Sequence, residues 1–121
     1  KVMKAKNNIE VWGHGNERRD FLYIDDLINF IDLAIKKQKT FFELVNVSYG
    51  RSISIKELVR KIINISNKKI SIIFDITKPN IKTNISLSNN LVKKKFNWKP
   101  KTNIEIGIKK TIEWYIKNYK I

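Results

Sequence analysis

The 121-residue chain carries 25 lysines and arginines against 11 acidic residues, a formal charge of +14, with one histidine and no cysteine. That length holds one hydrophobic core rather than a two-domain enzyme, and the lack of cysteine excludes disulfides, thiolate metal sites and thiol nucleophiles. One histidine leaves no multi-histidine metal site. No apolar run approaches the roughly 20 residues that cross a bilayer, so no membrane partner and a cytoplasmic location are expected.

Arg18, Arg19, Arg51 and Arg60 are the only arginines, so the positive charge is nearly all lysine, scattered among asparagines and isoleucines. Lys36-Lys37, Lys93-Lys94-Lys95 and Lys109-Lys110 lie near expected helix ends, where cations suit the helix dipole. Solvated lysine faces are therefore expected, and no nucleic-acid partner. The competing reading is a basic nucleic-acid-binding module, which predicts a clustered lysine face and an affinity that falls steeply with salt.

In chain order, Ile9-Glu10-Val11-Trp12 predicts a short strand that breaks at the Gly13-His14-Gly15-Asn16 turn, and residues 21–24 predict another. Asp25 stands where an N-cap belongs, ahead of a helix over residues 26–37 that is apolar around most of its circumference. Residues 42–47, apolar without alternation, predict a buried inner strand of a parallel sheet whose neighbours are not in the chain, leaving an exposed apolar surface. A turn follows through Ser48-Tyr49-Gly50. Ser54 and Glu57 form a capping box before a helix bearing Ile55, Leu58, Val59, Ile62 and Ile63. Residues 70–74 predict a strand, and residues 75–87 a polar extended stretch interrupted by Pro79. Ser88 is the expected cap of a short helix through Lys95, and Thr102 with Glu105 a second capping box opening the final helix. Trp98 and Trp114, with apolar neighbours, are expected in the core. The whole reads as a single α/β unit with a helix-rich second half and no internal repeat.

The chemistry that is absent is informative. Gly13-His14-Gly15 has no third glycine and no helix directly after it, so it is not a dinucleotide-binding turn. A tyrosine general acid assisted by a lysine four positions on is also missing, because Tyr23, Tyr49, Tyr115 and Tyr119 have no such lysine. Adjacent Asp25 and Asp26 suit a helix start better than paired acid–base work. No catalytic and no metal-binding residue is therefore assigned.

The run from Val11 to Asp26 resembles a strand, G-x-G, then R-[DE]-F-x-[YH]-[VI]-D-D, the pattern of the extended short-chain dehydrogenase/reductase family, also called NAD-dependent epimerase/dehydratases. Asn46-Val47 with Gly50 and Ser54-Ile55-Lys56-Glu57-Leu58 resembles a second segment of that family, and Asn97-Trp98-Lys99-Pro100 with Thr111-Ile112-Glu113-Trp114-Tyr115 resembles its ending. The resemblance implies that residues 1–121 form the carboxy-terminal substrate-binding part of an extended Rossmann-type enzyme, with the dinucleotide-binding half missing; a start at Lys1 rather than methionine agrees with that expectation. Val11-Trp12-Gly13 and the stretch from Phe74 to Asn80 most resemble the branch that epimerises a GDP-4-keto-6-deoxy sugar at C3 and C5 and reduces it at C4.

The implied partner is a nucleotide-diphosphate sugar, the implied cofactor NADP or NAD held by the missing amino-terminal half, and the implied full-length assembly a homodimer. Trp12 and Arg19 match positions that contact the nucleotide-sugar, and Lys78, Asn80 and Lys82 lie on the polar, proline-broken loop that would join them. By the residues alone, Arg19 could fork onto a diphosphate or pair with Asp20, Asp25 or Asp26, and Trp12 could pack on the nucleotide or anchor the core. The branch's Asp-Gly pair is replaced by Asn80-Ile81, a following arginine by Asn84 and a glycine by Ser48. Another nucleotide-sugar epimerase or a 4,6-dehydratase therefore stands as the alternative within the family.

Overall fold

A computed structural model describes residues 1–79 and 83–119, and the architecture is α/β. After a short 3-10 turn (Val2–Lys4) come β1 (Asn8–Trp12), β2 (Arg18–Asp20), α1 (Ile24–Lys37), β3 (Ser52–Ser54), α2 (Ile55–Ile65), β4 (Ser71–Asp75), α3 (Asn90–Phe96) and α4 (Ile104–Tyr119). Two small sheets result. β1 and β4 pair in parallel from Asn8↔Ser71 to Trp12↔Asp75, and β2 and β3 pair antiparallel.

Strand period two decides which side of β1 is covered: Ile9 and Val11 point into a core with Val2 and Val59, while Asn8, Glu10 and Trp12 point out. α2 contributes Val59 because Ser54 ends β3 and starts the helix in one residue. Its hydroxyl accepts the Glu57 N–H while the Glu57 carboxylate accepts the Ser54 N–H at 2.8 Å, the reciprocal cap the sequence predicts. A second core gathers Phe30, Val92, Phe96 and Trp98, with Phe30 edge-on to both aromatic rings at 5.4 and 5.3 Å.

Several expectations are corrected. The second strand is Arg18–Asp20 rather than residues 21–24, because its ladder partner is β3 and its register runs Arg18↔Ser54 to Asp20↔Ser52. Asp25 is not the cap: α1 starts at Ile24 with Tyr23 in the N-cap position and no side-chain cap, and the Tyr23 carbonyl takes the amides of Asp26 and Leu27. Asp26 is buried instead, accepting the N–H groups of Lys101 at 3.1 Å and Thr102 at 2.8 Å. That engagement displaces the second capping box, and Asn103 caps α4 by accepting the Ile106 N–H at 2.8 Å while Glu105 pairs with Lys61.

The short helix is preceded by Asn89 rather than Ser88 as its N-cap residue, and the Asn89 amide is spent on Ser48, taking its N–H at 3.0 Å and its hydroxyl at 2.8 Å. Residues 42–47 form no strand, since a ladder needs a neighbour and none of their backbone groups is hydrogen-bonded among the described residues. Val45 and Val47 still pack on the second core, whereas Phe42 is 76% exposed. Trp98 is buried as expected, but Trp114 is 57% exposed. Among the described residues no helix is long and apolar enough to cross a membrane.

Candidate functional site

Parallel strands present their carboxyl ends on one edge, where ligands of open α/β sheets collect. Here that edge carries Trp12 and, in register with it, Asp75. The Gly13 N–H donates to the Asp75 carbonyl at 2.8 Å, extending the pairing one step before the chain turns away. The turn needs glycine at Gly15: its φ is +65° and a Cβ there would lie 2.9 Å from the Phe74 ring. It leads into β2 rather than into a helix, so no helix N-terminus faces a phosphate at this point.

Trp12 is 51% exposed, which removes it from the core and leaves its ring open to a ligand. Its indole N–H donates to Glu10 Oε1 at 2.9 Å, and Lys1 Nζ lies 5.9 Å from the ring centroid. Arg19 does not pair with Asp20, Asp25 or Asp26. Its Nη1 donates to the carbonyls of Arg18 at 2.9 Å and Thr83 at 2.6 Å, which holds the guanidinium while leaving Nε and Nη2 without partners among the described residues. Asp20 is engaged elsewhere, accepting the N–H groups of Tyr49 at 2.8 Å and Gly50 at 3.0 Å. Arg18 takes the remaining nearby acid, with Nη1 3.5 Å from Glu57 and Nη2 donating to the Ser52 carbonyl at 2.6 Å.

Lys78 is exposed three residues beyond the end of β4, on a turn that Asp75 organises by accepting the Thr77 N–H at 3.0 Å and hydroxyl at 2.6 Å. Those Thr77 bonds hold the Asp75 carboxyl below the usual carboxylate range, with Lys78 adding to the effect. Asn80 and Lys82 lie outside the described residues. β2 is laced to the stretch beyond them: the Arg18 N–H donates to Asn84 Oδ1 at 3.2 Å and the Ile85 N–H to the Arg18 carbonyl at 3.1 Å. The strand-end register thus sets Trp12 beside Asp75, three residues before Lys78, and the Thr83 carbonyl holds Arg19.

Sequence reasoning missed Glu10 and the clasp role of Asn84. Glu10 was legible, because two residues apart on a strand means one face; Asn84 was not, since its partner is 66 residues away. A separate cleft of about 720 Å³ opens between the amino-terminal turn, α2 and α4, lined largely by apolar residues such as Val2, Leu58, Ile62, Ile108 and Tyr115. It includes Glu10 and Trp12 but neither Arg19 nor Lys78, so it offers room for an apolar group and little for a diphosphate. Tyr23, also on this cleft, is pushed up by burial and by Asp25, the reverse of what a tyrosine proton donor needs. Among the described residues no three His, Asp or Glu side chains gather as a metal site.

Fold and site together define an α/β chain with a ligand edge but no dinucleotide-binding turn among the described residues. Residues 1–48 match the model of the NAD dependent epimerase/dehydratase family. GDP-L-colitose synthase of Yersinia pseudotuberculosis is 32% identical over 115 residues, 95% of this chain and 37% of that protein. GDP-L-fucose synthase of Sinorhizobium fredii is 32% identical over 91% of this chain and 34% of its own length. The solved UDP-glucose 4-epimerase of Thermotoga maritima with UDP-glucose superposes with a TM-score of 0.83 at 25% identity, over 93% of this chain and 36% of that one. The family match thus lies in residues 1–48, and the chain spans about a third of the length of the relatives it matches.

Proposed function

We propose that this chain is the nucleotide-sugar-binding portion of an NAD(P)-dependent nucleotide-sugar epimerase/reductase of the GDP-L-fucose synthase kind, which epimerises GDP-4-keto-6-deoxymannose at C3 and C5 and reduces it at C4. The observation that carries this reading is the strand-end edge. An exposed Trp12 ring lies in register with Asp75 at the end of β4, and an Arg19 guanidinium is fixed by the carbonyls of Arg18 and Thr83 with donors to spare. A planar ring can stack a base, and a held guanidinium can fork onto a diphosphate.

The described residues do not fit a nicotinamide dinucleotide, lacking a glycine-rich turn into a helix, and no step of the reaction is assigned to them. NADP or NAD binding and the proton-transfer groups belong to the dinucleotide-binding half, and the full-length enzyme is a homodimer. The role of this part is to hold the sugar diphosphate and present it to that half.

Calorimetric titration of the chain with GDP-mannose tests the reading. Saturable binding that weakens about 10-fold to 100-fold in Arg19→Ala is the expected result, since a charge-assisted pair is worth roughly 1.5 to 3 kcal/mol. An unchanged affinity in the variant would remove Arg19 from the site, and no saturable binding in the parent chain would remove the reading.

A further inference from the structure

The outward face of β1–β4 holds a feature that nucleotide-sugar binding alone does not require. Strand alternation puts Glu10 and Trp12 side by side on that face, both exposed, with Ile73 opposite Glu10 in the parallel register and itself half exposed. The carboxylate is not loose. Oε1 accepts the indole N–H at 2.9 Å, which fixes the group at one edge of the Trp12 ring, while Oε2 has no partner among the described residues. Lys1 is the cation nearest the ring face, and it is long and exposed, so a stacking ligand can displace it at small cost.

We infer that Glu10 is the base-reading residue of the nucleotide site and that it selects guanine, an inference that rests on the reading of Trp12 and Arg19 given above. A base stacked on Trp12 presents its hydrogen-bonding edge to whatever lies at the ring's margin, and here that is an acceptor-only carboxylate. Guanine offers N1–H and the N2 amino group side by side, two donors that match two carboxylate oxygens. Uracil and thymine offer one N–H between two carbonyl oxygens, which the carboxylate repels. Adenine and cytosine set an amino group beside a ring-nitrogen acceptor, so one carboxylate oxygen faces a lone pair. A site built to pair with donors rejects a base that lacks them far more strongly than an apolar pocket rejects a shape.

The experiment is competitive titration of the chain with GDP, IDP and UDP, repeated on Glu10→Gln. The glutamine keeps an oxygen for the indole N–H, so Trp12 holds its place, and an unchanged Trp emission spectrum and melting temperature verify that. The parent chain is expected to prefer GDP over UDP by about tenfold or more, with IDP, which lacks the N2 amino group, between them. Glu10→Gln is expected to bring GDP and UDP within about twofold of each other without weakening UDP. Equal affinity for GDP and UDP in the parent chain, or a GDP preference that survives in Glu10→Gln, would overturn the assignment of Glu10 while leaving the diphosphate site standing. Failure of all three nucleotides to bind, with Arg19→Ala no different, would overturn the site and this inference together.

Discussion

The two sides of α1 are both apolar and have opposite fates. On one side Phe30 lies buried against Phe96 and Trp98, with Leu33 and Ala34 packed beside it. On the other, Ile24, Ile28, Ile31 and Ile35 recur at helical spacing and are between 44% and 77% exposed, and Phe41, Phe42 and Leu44 beyond the helix end are exposed as well. A helix that is apolar all round is built to be covered all round. This chain supplies one cover, through α3 and Trp98, so burial energy is concentrated on one stripe while the other stays in water.

If that contrast holds, substitutions should sort by side. Trp98→Ala removes the ring that closes the covered stripe and should cost about 3 to 5 kcal/mol in a urea titration. A cost near zero would mean that the second core is not consolidated. The cap of α2 is a smaller and local contribution, and Ser54→Ala should cost about 1 kcal/mol.

The same cap gives a pH signature. Hydrogen bonds from the Ser54 N–H and hydroxyl lower the Glu57 carboxyl from its ordinary 4.5. A carboxyl lowered on folding stabilises the fold above its unfolded value, and that stabilisation is lost as pH drops through the lowered one. Glu57→Gln should therefore flatten the loss of melting temperature below about pH 4.5, and an unaltered acid limb would rule the cap out as its source. The smallest effect belongs to the bare stripe. Ile28→Lys with Ile35→Lys should move stability by no more than about 0.5 kcal/mol each while reducing binding of an apolar dye. A loss comparable with Trp98→Ala would show that the stripe is covered after all.

Much of the candidate site was legible because its signals are short in sequence. The Gly13-to-Gly15 turn and the Ser54–Glu57 box each act within a few residues, and both sit where the pattern placed them. Whether Trp12 is core or surface was not legible, since the two look alike until the opposite strand is known. Residues 42–47 read as a strand from composition, yet strand is a property of two neighbours, and only Val45 and Val47 find packing here. Asp25 and Thr102 each had the chemistry of a cap. Asp26, bonded to the Thr102 N–H across 76 residues, engaged the second, while the first lost the role because α1 begins at Ile24 with Tyr23 as N-cap residue.

What the amino-acid sequence determined by itself was therefore the α/β class, the resemblance to the epimerase/dehydratase family, the Gly13-to-Gly15 turn and the Ser54–Glu57 cap, because backbone preference and side-chain period act over a handful of residues. The tertiary structure alone decided that Arg19 is held by Thr83 rather than by an acid, that Glu10 grips Trp12 beside an open ring, and that Trp114 faces water. Those outcomes depend on which distant groups compete for the same donor or the same cover, and such competition has no local trace.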